Sequence, residues 1–165
     1  MSEKPHTTFL GAYDIKARVF ATTDCSPYYY CWDYEVGDID DFQKNELKLL
    51  FEYLEENDIE PLFINMPSFR DKDEQQENAS LIAYCKKQGY KALDLCTREM
   101  LTELSIDPKT DFLNRGHLNS KGSVKFSKYI AKYLTENGFS APDHRGEDSY
   151  KVWDEQAEKY NKFYD

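Results

Sequence analysis

The sequence predicts an α/β domain with parallel strands, and the order of its segments carries this prediction. Stretches with apolar residues at helical spacing alternate with short apolar runs over residues 38–137. The resulting order of helix, strand, helix, strand, helix, loop, helix is typical of parallel strands joined by crossover helices. Residues 1–37 are turn-rich and predict an irregular N-terminal segment, and residues 138–165 predict a helical tail.

The first predicted helix begins near Asp38, and a strand follows it. Acidic residues in its first turn favour the positive end of the helix dipole. The run "IEPLFINMP" ends at Pro67, which predicts a short buried strand. The apolar residues at helical spacing in the helix are Phe42, Leu47, Leu50, Phe51 and Leu54.

A second helix and a second strand come next. The charged stretch 68–76 predicts a loop. Residues 77–88 predict a helix that stops at Gly89, because a glycine commonly follows a helix end. The apolar run "YKALDLC", residues 90–96, predicts the second strand.

Two further helices flank a polar loop. Residues 97–104 predict a short helix with Thr97 as its N-cap, since a threonine side chain can accept a bond from the first helical turn. The loop that follows carries His117. A long final helix is predicted from Ser120 to Asn137.

The two ends of the chain contain weaker signals. Residues 17–23, "ARVFATT", predict a short strand, and the aromatic cluster of residues 26–34 is expected to pack against the body of the fold. After Pro142 the tail has apolar residues at helical spacing, for which packing on the body is favoured over docking to another chain. These residues are Tyr150, Trp153, Ala157, Tyr160 and Tyr164.

Composition excludes several classes of function. The 165 residues suffice for one domain, and the formal net charge of −10 argues against binding nucleic acid or anionic membranes. No apolar run approaches the roughly 20 residues of a membrane span. The start "MSEKPHTTF" lacks the apolar core of a signal peptide. We predict a soluble chain, and its compartment stays open.

The cysteines do not predict a zinc site. They have no CxxC spacing and no histidine cluster beside them, so a zinc site is not expected. Cys25 and Cys31 are close enough in sequence to be bridged in an oxidising compartment, but ordinary thiols are the favoured interpretation. The four cysteines are Cys25, Cys31, Cys85 and Cys96. We predict no cofactor.

His117 lies where α/β enzymes place catalytic groups, in a loop that precedes a helix. A lone histidine is more often a surface or structural residue, but the surrounding "DFLNRGHLNSKGSVKFSKYIAKYL" resembles the last sequence block of the SGNH (GDSL-type) hydrolases. The matching residues are Asp111, Phe112, His117, Leu118, Asn119, Gly122, Lys125 and Phe126.

The resemblance extends over about residues 38–136 and implies a flavodoxin-like, three-layer α/β fold with a parallel sheet. The chain is similar to the C-terminal half of that domain, so an N-terminal half or a partner chain would complete the sheet. Relatives of this kind often lie at the cell surface and act on, or transfer, acyl groups of glycans and other polymers. An acylated polymer is the substrate that the resemblance implies.

The family mechanism assigns a role to each residue of the His117 loop. A serine on a Gly-Asp-Ser turn attacks an ester, the histidine takes the serine proton, and an aspartate three residues earlier orients the imidazole. His117 matches the histidine, but the aspartate position is Asn114. An amide can accept a hydrogen bond from the imidazole, but it carries no charge to stabilise the imidazolium. Asp111, on the same loop, is the alternative, although it matches another family position.

The serine nucleophile has no counterpart in the sequence. The nearest string to Gly-Asp-Ser is Gly37-Asp38-Ile39, and Ser26 lacks the strand-turn-helix setting. Cys31 and Ser68 are conceivable substitutes without local support. The candidate substrate-binding residues are Asn65, Ser68 and Asn119, of which Asn65 is better interpreted as structural.

Two functions from different classes remain open at this point. One is an esterase or O-acyl transferase domain fragment in which His117 is the general base. The other is a catalytically inactive binding or interaction domain, with a polymer lying along the aromatic cluster. Asn114 and the missing serine favour the second; a purely structural role is a third. The aromatic residues concerned are Tyr28, Tyr29, Tyr30 and Trp32.

Overall fold

The protein combines helices with short strands in the computed structural model. The structure describes residues 8–9, 12–13, 21–139 and 142–164. For residues 8–9, 12–13 and 160–164 it describes the backbone only. The helices are α1 (Asp41–Glu56), α2 (Lys72–Lys87), α3 (Arg98–Glu103), α4 (Ser120–Glu136) and α5 (Lys151–Tyr164). The strands are β1 (Thr8–Phe9), β2 (Ala12–Tyr13), β3 (Leu62–Asn65), β4 (Lys91–Asp94), β5 (Phe112–Asn114) and β6 (His117–Leu118). Two 3₁₀ helices span Ser26–Trp32 and Asp148–Tyr150.

Helix α1 begins at a capping box, three residues after the predicted start. The Asp40 side chain accepts a bond from the Gln43 backbone N–H at 2.7 Å, and the Gln43 side chain accepts one from the Asp40 N–H at 3.1 Å. These reciprocal bonds satisfy two of the N–H groups that a helix start leaves without partners. Asp40 itself has an extended backbone, and Ile39 before it is buried.

Helix α2 begins at Lys72, so the prediction of a loop over 68–76 is wrong from Lys72 onward. Asp73 and Glu74 lie in its first turn, where negative charge favours the helix dipole. Gln75 is fully buried, and its amide donates to the Ser68 carbonyl at 2.7 Å. The polar composition of this stretch suggested a loop. The first turn of α2 is nevertheless packed against the body, because Gln75 bonds to the backbone carbonyl of Ser68.

Strands β3 and β4 form a parallel pair joined by α2, as predicted. Leu62 pairs with Lys91, and Asn65 pairs with Asp94. Among the described strands, neither β3 nor β4 has a second neighbour. Three of the four β3 residues are only partly buried, although strands of parallel sheets are normally covered on both faces.

The core divides into two clusters that take alternate residues of the strands, Ile64 and Leu93 in one and Phe63 and Ala92 in the other. The first is built around Phe69, Leu95 and Phe112, and the second contains Phe51 of α1. The aromatic cluster packs on the first, as predicted, because the Trp32 ring stacks on Phe69 with centroids 4.6 Å apart. All four cysteines are buried and free.

The loop before α4 is a short antiparallel hairpin, β5–β6, which the sequence did not predict. Asn114 pairs with His117, and Arg115 and Gly116 form the turn. Thr23 donates its backbone N–H to the Phe112 carbonyl at 2.8 Å. Of the strand predicted at 17–23, residues 17–20 lie outside the described chain, and residues 21–23 are irregular backbone held by such bonds.

The C-terminal tail forms the predicted helix, and Trp153, on the aromatic face that was expected to pack on the body, is 51% exposed. The tail makes its own polar contacts instead. The Gly146 N–H donates to Asp154 at 2.9 Å, and the ring of His144 stacks on Tyr150. The Tyr160 and Tyr164 side chains lie outside the described residues. No described helix is long and apolar enough to cross a membrane.

Candidate active site

The site is a cavity of about 620 Å³ between the carboxyl end of β3 and the β5–β6 hairpin. It brings together three of the residues singled out from the sequence, namely Asn65, Ser68 and His117. The sequence did not predict that Glu74 and Asn78 of α2 would also line the cavity. The polar residues lining the cavity are Asn65, Ser68, Arg70, Glu74, Asn78, His117 and Ser123.

Asn114 holds the His117 ring, as its position in the motif predicted. The distance between His117 Nδ1 and Asn114 Oδ1 is 2.9 Å. The hairpin makes this contact local, because the two residues are paired across the turn. Asn114 therefore occupies the place at which an orienting carboxylate would act.

The backbone of Gly116 decides which atom Asn114 presents to the ring. The Gly116 N–H donates to Asn114 Oδ1 at 2.9 Å. A backbone N–H can only donate, so the amide oxygen must face the turn, and the amide NH₂ must point away. His117 Nδ1 meets that oxygen and must carry a proton.

The fixed amide thus selects the tautomer that a general base requires. With the proton on Nδ1, the lone pair of the neutral ring is on Nε2. A carboxylate partner would add a negative charge that stabilises the imidazolium, and Asn114 does not. The geometry supplies orientation without that charge.

Asp111 does not orient His117, so the prediction that it could act as the catalytic carboxylate is wrong. It is 1% exposed, and its oxygens accept bonds from Lys125 Nζ at 2.6 Å and from the Asp107 N–H at 2.8 Å. Burial alone raises the pKa of a carboxyl group, but the bonds from Lys125, Asp107 and Thr110 outweigh it and hold the pKa of Asp111 below its usual value. Asp111 links the hairpin to α4.

Asn119 is the N-cap of α4, and its prediction as a substrate-binding residue is wrong. Its Oδ1 accepts from the Gly122 N–H at 3.2 Å, and its Nδ2 donates to the carbonyls of Thr110 and Ala21. With 3% of its surface exposed, the side chain has no free group for a ligand. Asparagine is a preferred N-cap residue, which accounts for its place in the motif.

Asn65 and Ser68 line the cavity but also have structural partners. Asn65 Nδ2 donates to Asp94 Oδ1 across the sheet at 2.9 Å. Ser68 Oγ accepts from Gln75 Nε2 at 3.1 Å and lies 3.7 Å from Cys96 Sγ. No hydrogen bond between the described side chains joins Ser68 to His117, so the pair needed for a serine nucleophile is not assembled here.

The thiols do not supply a nucleophile either. Burial raises the pKa of Cys96, because a low dielectric disfavours the thiolate. Cys31 is fully buried, and its sulfur lies 3.8 Å from the Phe69 carbonyl and 3.5 Å from Arg115 Nη2. Reactive cysteines lie in accessible sites, and these two do not.

No group of three or more metal-ligating side chains occurs within residues 21–139 and 142–159. Comparison of the chain with models of known protein families, with curated proteins and with solved structures finds no match. The resemblance to SGNH hydrolases therefore remains a prediction from the sequence motif.

Proposed function

We propose that the chain is part of an SGNH-like esterase or O-acyl transferase domain in which His117 is the general base. The observation that carries the proposal is the contact of His117 Nδ1 with an amide oxygen whose direction is fixed by the Gly116 N–H. This arrangement selects the tautomer with a basic Nε2, and His117 lines a cavity large enough for a small ester. The acyl acceptor would be an alcohol or water that His117 deprotonates.

The proposed fold is a flavodoxin-like parallel sheet, of which β3 and β4 are one portion. The support is that this pair has no further described neighbour and that most of β3 is only partly buried. The serine would come from the completing portion, either an N-terminal half or a partner chain, because Ser68 lacks a histidine partner among the described side chains.

Hydrolysis of 4-nitrophenyl acetate tests the base. In the chain alone, His117 would activate water, and His117→Ala should lower the rate above background by about 10²-fold, the lower end of general-base contributions. His144→Ala is the matched control, because His144 has a similar Nδ1 contact in the tail, 3.0 Å from Glu147. Equal rates for wild type and His117→Ala would contradict the proposal.

Asn114→Asp sharpens the same test. A carboxylate at this place adds the charge that stabilises the imidazolium, so the rate should rise by about tenfold or more, given the cost of the opposite change in triad enzymes. No change would show that the loop does not set the basicity of His117.

The second candidate is an inactive binding domain, which the uncharged Asn114 favours. In that case the wild type would hydrolyse the ester no faster than His117→Ala, and Asn114→Asp would create activity that the wild type lacks. A serine-directed fluorophosphonate, followed by peptide mass spectrometry, adds a further distinction. An adduct at Ser68 would show that this chain carries its own nucleophile.

A further inference from the structure

Arg115, in the turn of the hairpin, connects the His117 segment to the loop after β3. Its carbonyl accepts from the Phe69 N–H at 2.6 Å, and its Nε donates back to the Phe69 carbonyl at 2.7 Å. Its Nη2 donates to Asp71 Oδ1 at 3.0 Å. Three bonds therefore join one residue of the turn to the three-residue stretch Phe69–Asp71 of that loop.

The guanidinium makes two further contacts. The guanidinium carbon lies 4.5 Å from the centroid of the Tyr28 ring, and Nη2 lies 3.5 Å from the buried Cys31 sulfur. A planar fork with several donors can satisfy a carbonyl, a carboxylate and an aromatic face together, whereas a lysine ammonium cannot reproduce that geometry. The contacts determine both the position and the plane of the Arg115 side chain.

These contacts lie between the two segments that form the cavity. Pro67 and Ser68 line it from the loop, and Gly116 and His117 line it from the hairpin. Arg115 directly precedes Gly116, whose N–H fixes Asn114 Oδ1. A shift of the turn would therefore displace the amide oxygen from His117 and change the separation of the two segments.

We propose that Arg115 is a positioning residue that keeps His117 in its Nδ1–H tautomer by holding the turn against the Phe69–Asp71 stretch. The inference rests on the proposed role of His117, but its readout is the position of a proton and needs no turnover. Arg115 acts through Gly116 and Asn114 and does not itself line the cavity.

The experiment is long-range ¹H–¹⁵N NMR of the histidine rings in the full chain, at a pH where the imidazoles are neutral. Wild-type His117 should carry its proton on Nδ1. In Arg115→Ala the Nδ1–H population should fall about twofold or more, toward the Nε2–H form that free imidazole side chains prefer. Adding ethylguanidinium should restore it, because the Arg115 side chain is 35% exposed and its vacated place is open to solvent.

Arg98→Ala is the matched control. Arg98 lies over the Tyr29 ring at 4.9 Å and donates to the Tyr29 carbonyl at 3.2 Å and to Asp33 at 3.3 Å. It thus has one ring, one carbonyl and one carboxylate, as Arg115 does, but none of these contacts is with the hairpin. Its loss should leave the His117 spectrum unchanged.

Two results would overturn the inference. One is a wild-type His117 protonated on Nε2. The other is a folded Arg115→Ala whose His117 tautomer equals that of the wild type. If Arg115→Ala does not fold, Arg115→Lys decides: it keeps the charge and the aliphatic stem but not the fork, so an unchanged tautomer again overturns the inference. If His117→Ala hydrolyses the ester as fast as the wild type but Arg115→Ala changes the His117 tautomer, the proposed function is contradicted and the positioning role of Arg115 stands.

Discussion

Two histidines of this chain make nearly the same local contact in different parts of the fold. His117 Nδ1 lies 2.9 Å from the amide oxygen of Asn114, and His144 Nδ1 lies 3.0 Å from a carboxylate oxygen of Glu147. By local chemistry the tail histidine has the better partner, because a carboxylate stabilises an imidazolium. The cavity, however, is at His117.

The difference between them lies in tertiary connections. The hairpin is joined to distant segments, to Phe69 through Arg115 and to Thr23 through Phe112. The hydrogen bonds that the structure shows for residues 142–156 join residues of the tail to one another, and His144 stacks on Tyr150 of the same segment. A histidine and an oxygen in contact are thus insufficient for a site. A second segment must lie beside them and form a cavity, as the loop after β3 does at His117.

The largest effect is expected from filling the contact between the hairpin and α4. A Cβ at Gly122 would lie 2.3 Å from the Asp111 carbonyl oxygen and 2.9 Å from Leu118 Cδ2. Gly122→Ala should therefore lower the free energy of unfolding by about 3 kcal/mol, since backbone atoms must move. Urea denaturation measures it.

Gly37→Ala is the control for this substitution. Its Cβ would meet only a Gln76 side-chain nitrogen at 3.9 Å. We expect a change of less than about 0.5 kcal/mol. Equal losses at the two glycines would show that close packing does not hold the hairpin on α4.

An intermediate effect is expected from Asp111→Asn, which removes the charge of a buried carboxylate paired with the partly exposed Lys125. We expect a loss of about 2 kcal/mol at neutral pH, because a buried charged bond is removed. The pKa of Asp111 is lowered in the folded protein, so its contribution is complete above the ordinary value of 3.8 and is lost as the pH falls through the lower folded value. The stability difference from wild type should shrink below about pH 4.

Asp143→Asn is the tail counterpart of that experiment. A bond from Arg145 lowers the pKa of Asp143 to about 2, yet both side chains are largely exposed. Solvent screens such a pair, so chemical denaturation should detect no loss of stability in the body at any pH. A pH-dependent loss equal to that of Asp111→Asn would remove the distinction between the two regions.

The smallest effect is expected from removing the tail. A chain that ends at Phe139 keeps the Lys91 ammonium over the Phe139 ring at 4.2 Å and the bonds that join the hairpin to Phe69 and Thr23. We expect the free energy of unfolding to change by less than about 0.5 kcal/mol and the His117 NMR signals to stay in place. A larger loss would show that Val152 and Trp153, both about half exposed, contribute to the core.

Much of the fold follows from local patterns. Thr97 was identified as an N-cap, and its hydroxyl accepts from the Met100 N–H at 3.2 Å. The predicted start and end of α4 agree with the structure to within one residue. Such features depend on caps and on apolar spacing, which are properties of neighbouring residues.

The errors fall where distant segments decide the outcome. Asn119 matched a motif residue and was expected to bind substrate, but Ala21 and Thr110 occupy its amide. Asp111 shared a loop with His117, but Lys125 of α4 binds its carboxylate. Sequence proximity does not reveal which partner wins when several polar groups compete.

The sequence by itself determined the helices apart from the first turns of α2, the parallel strand pair and the local contact of His117 with Asn114, because each depends on spacing within a short stretch. Only the tertiary structure decided which histidine faces a cavity, which way the Asn114 amide points and that Arg115 holds the turn. The physical reason is that these outcomes depend on backbone groups brought together from distant segments. The N–H of Gly116 and the carbonyl of Phe69 are present in every sequence, and only the fold places them.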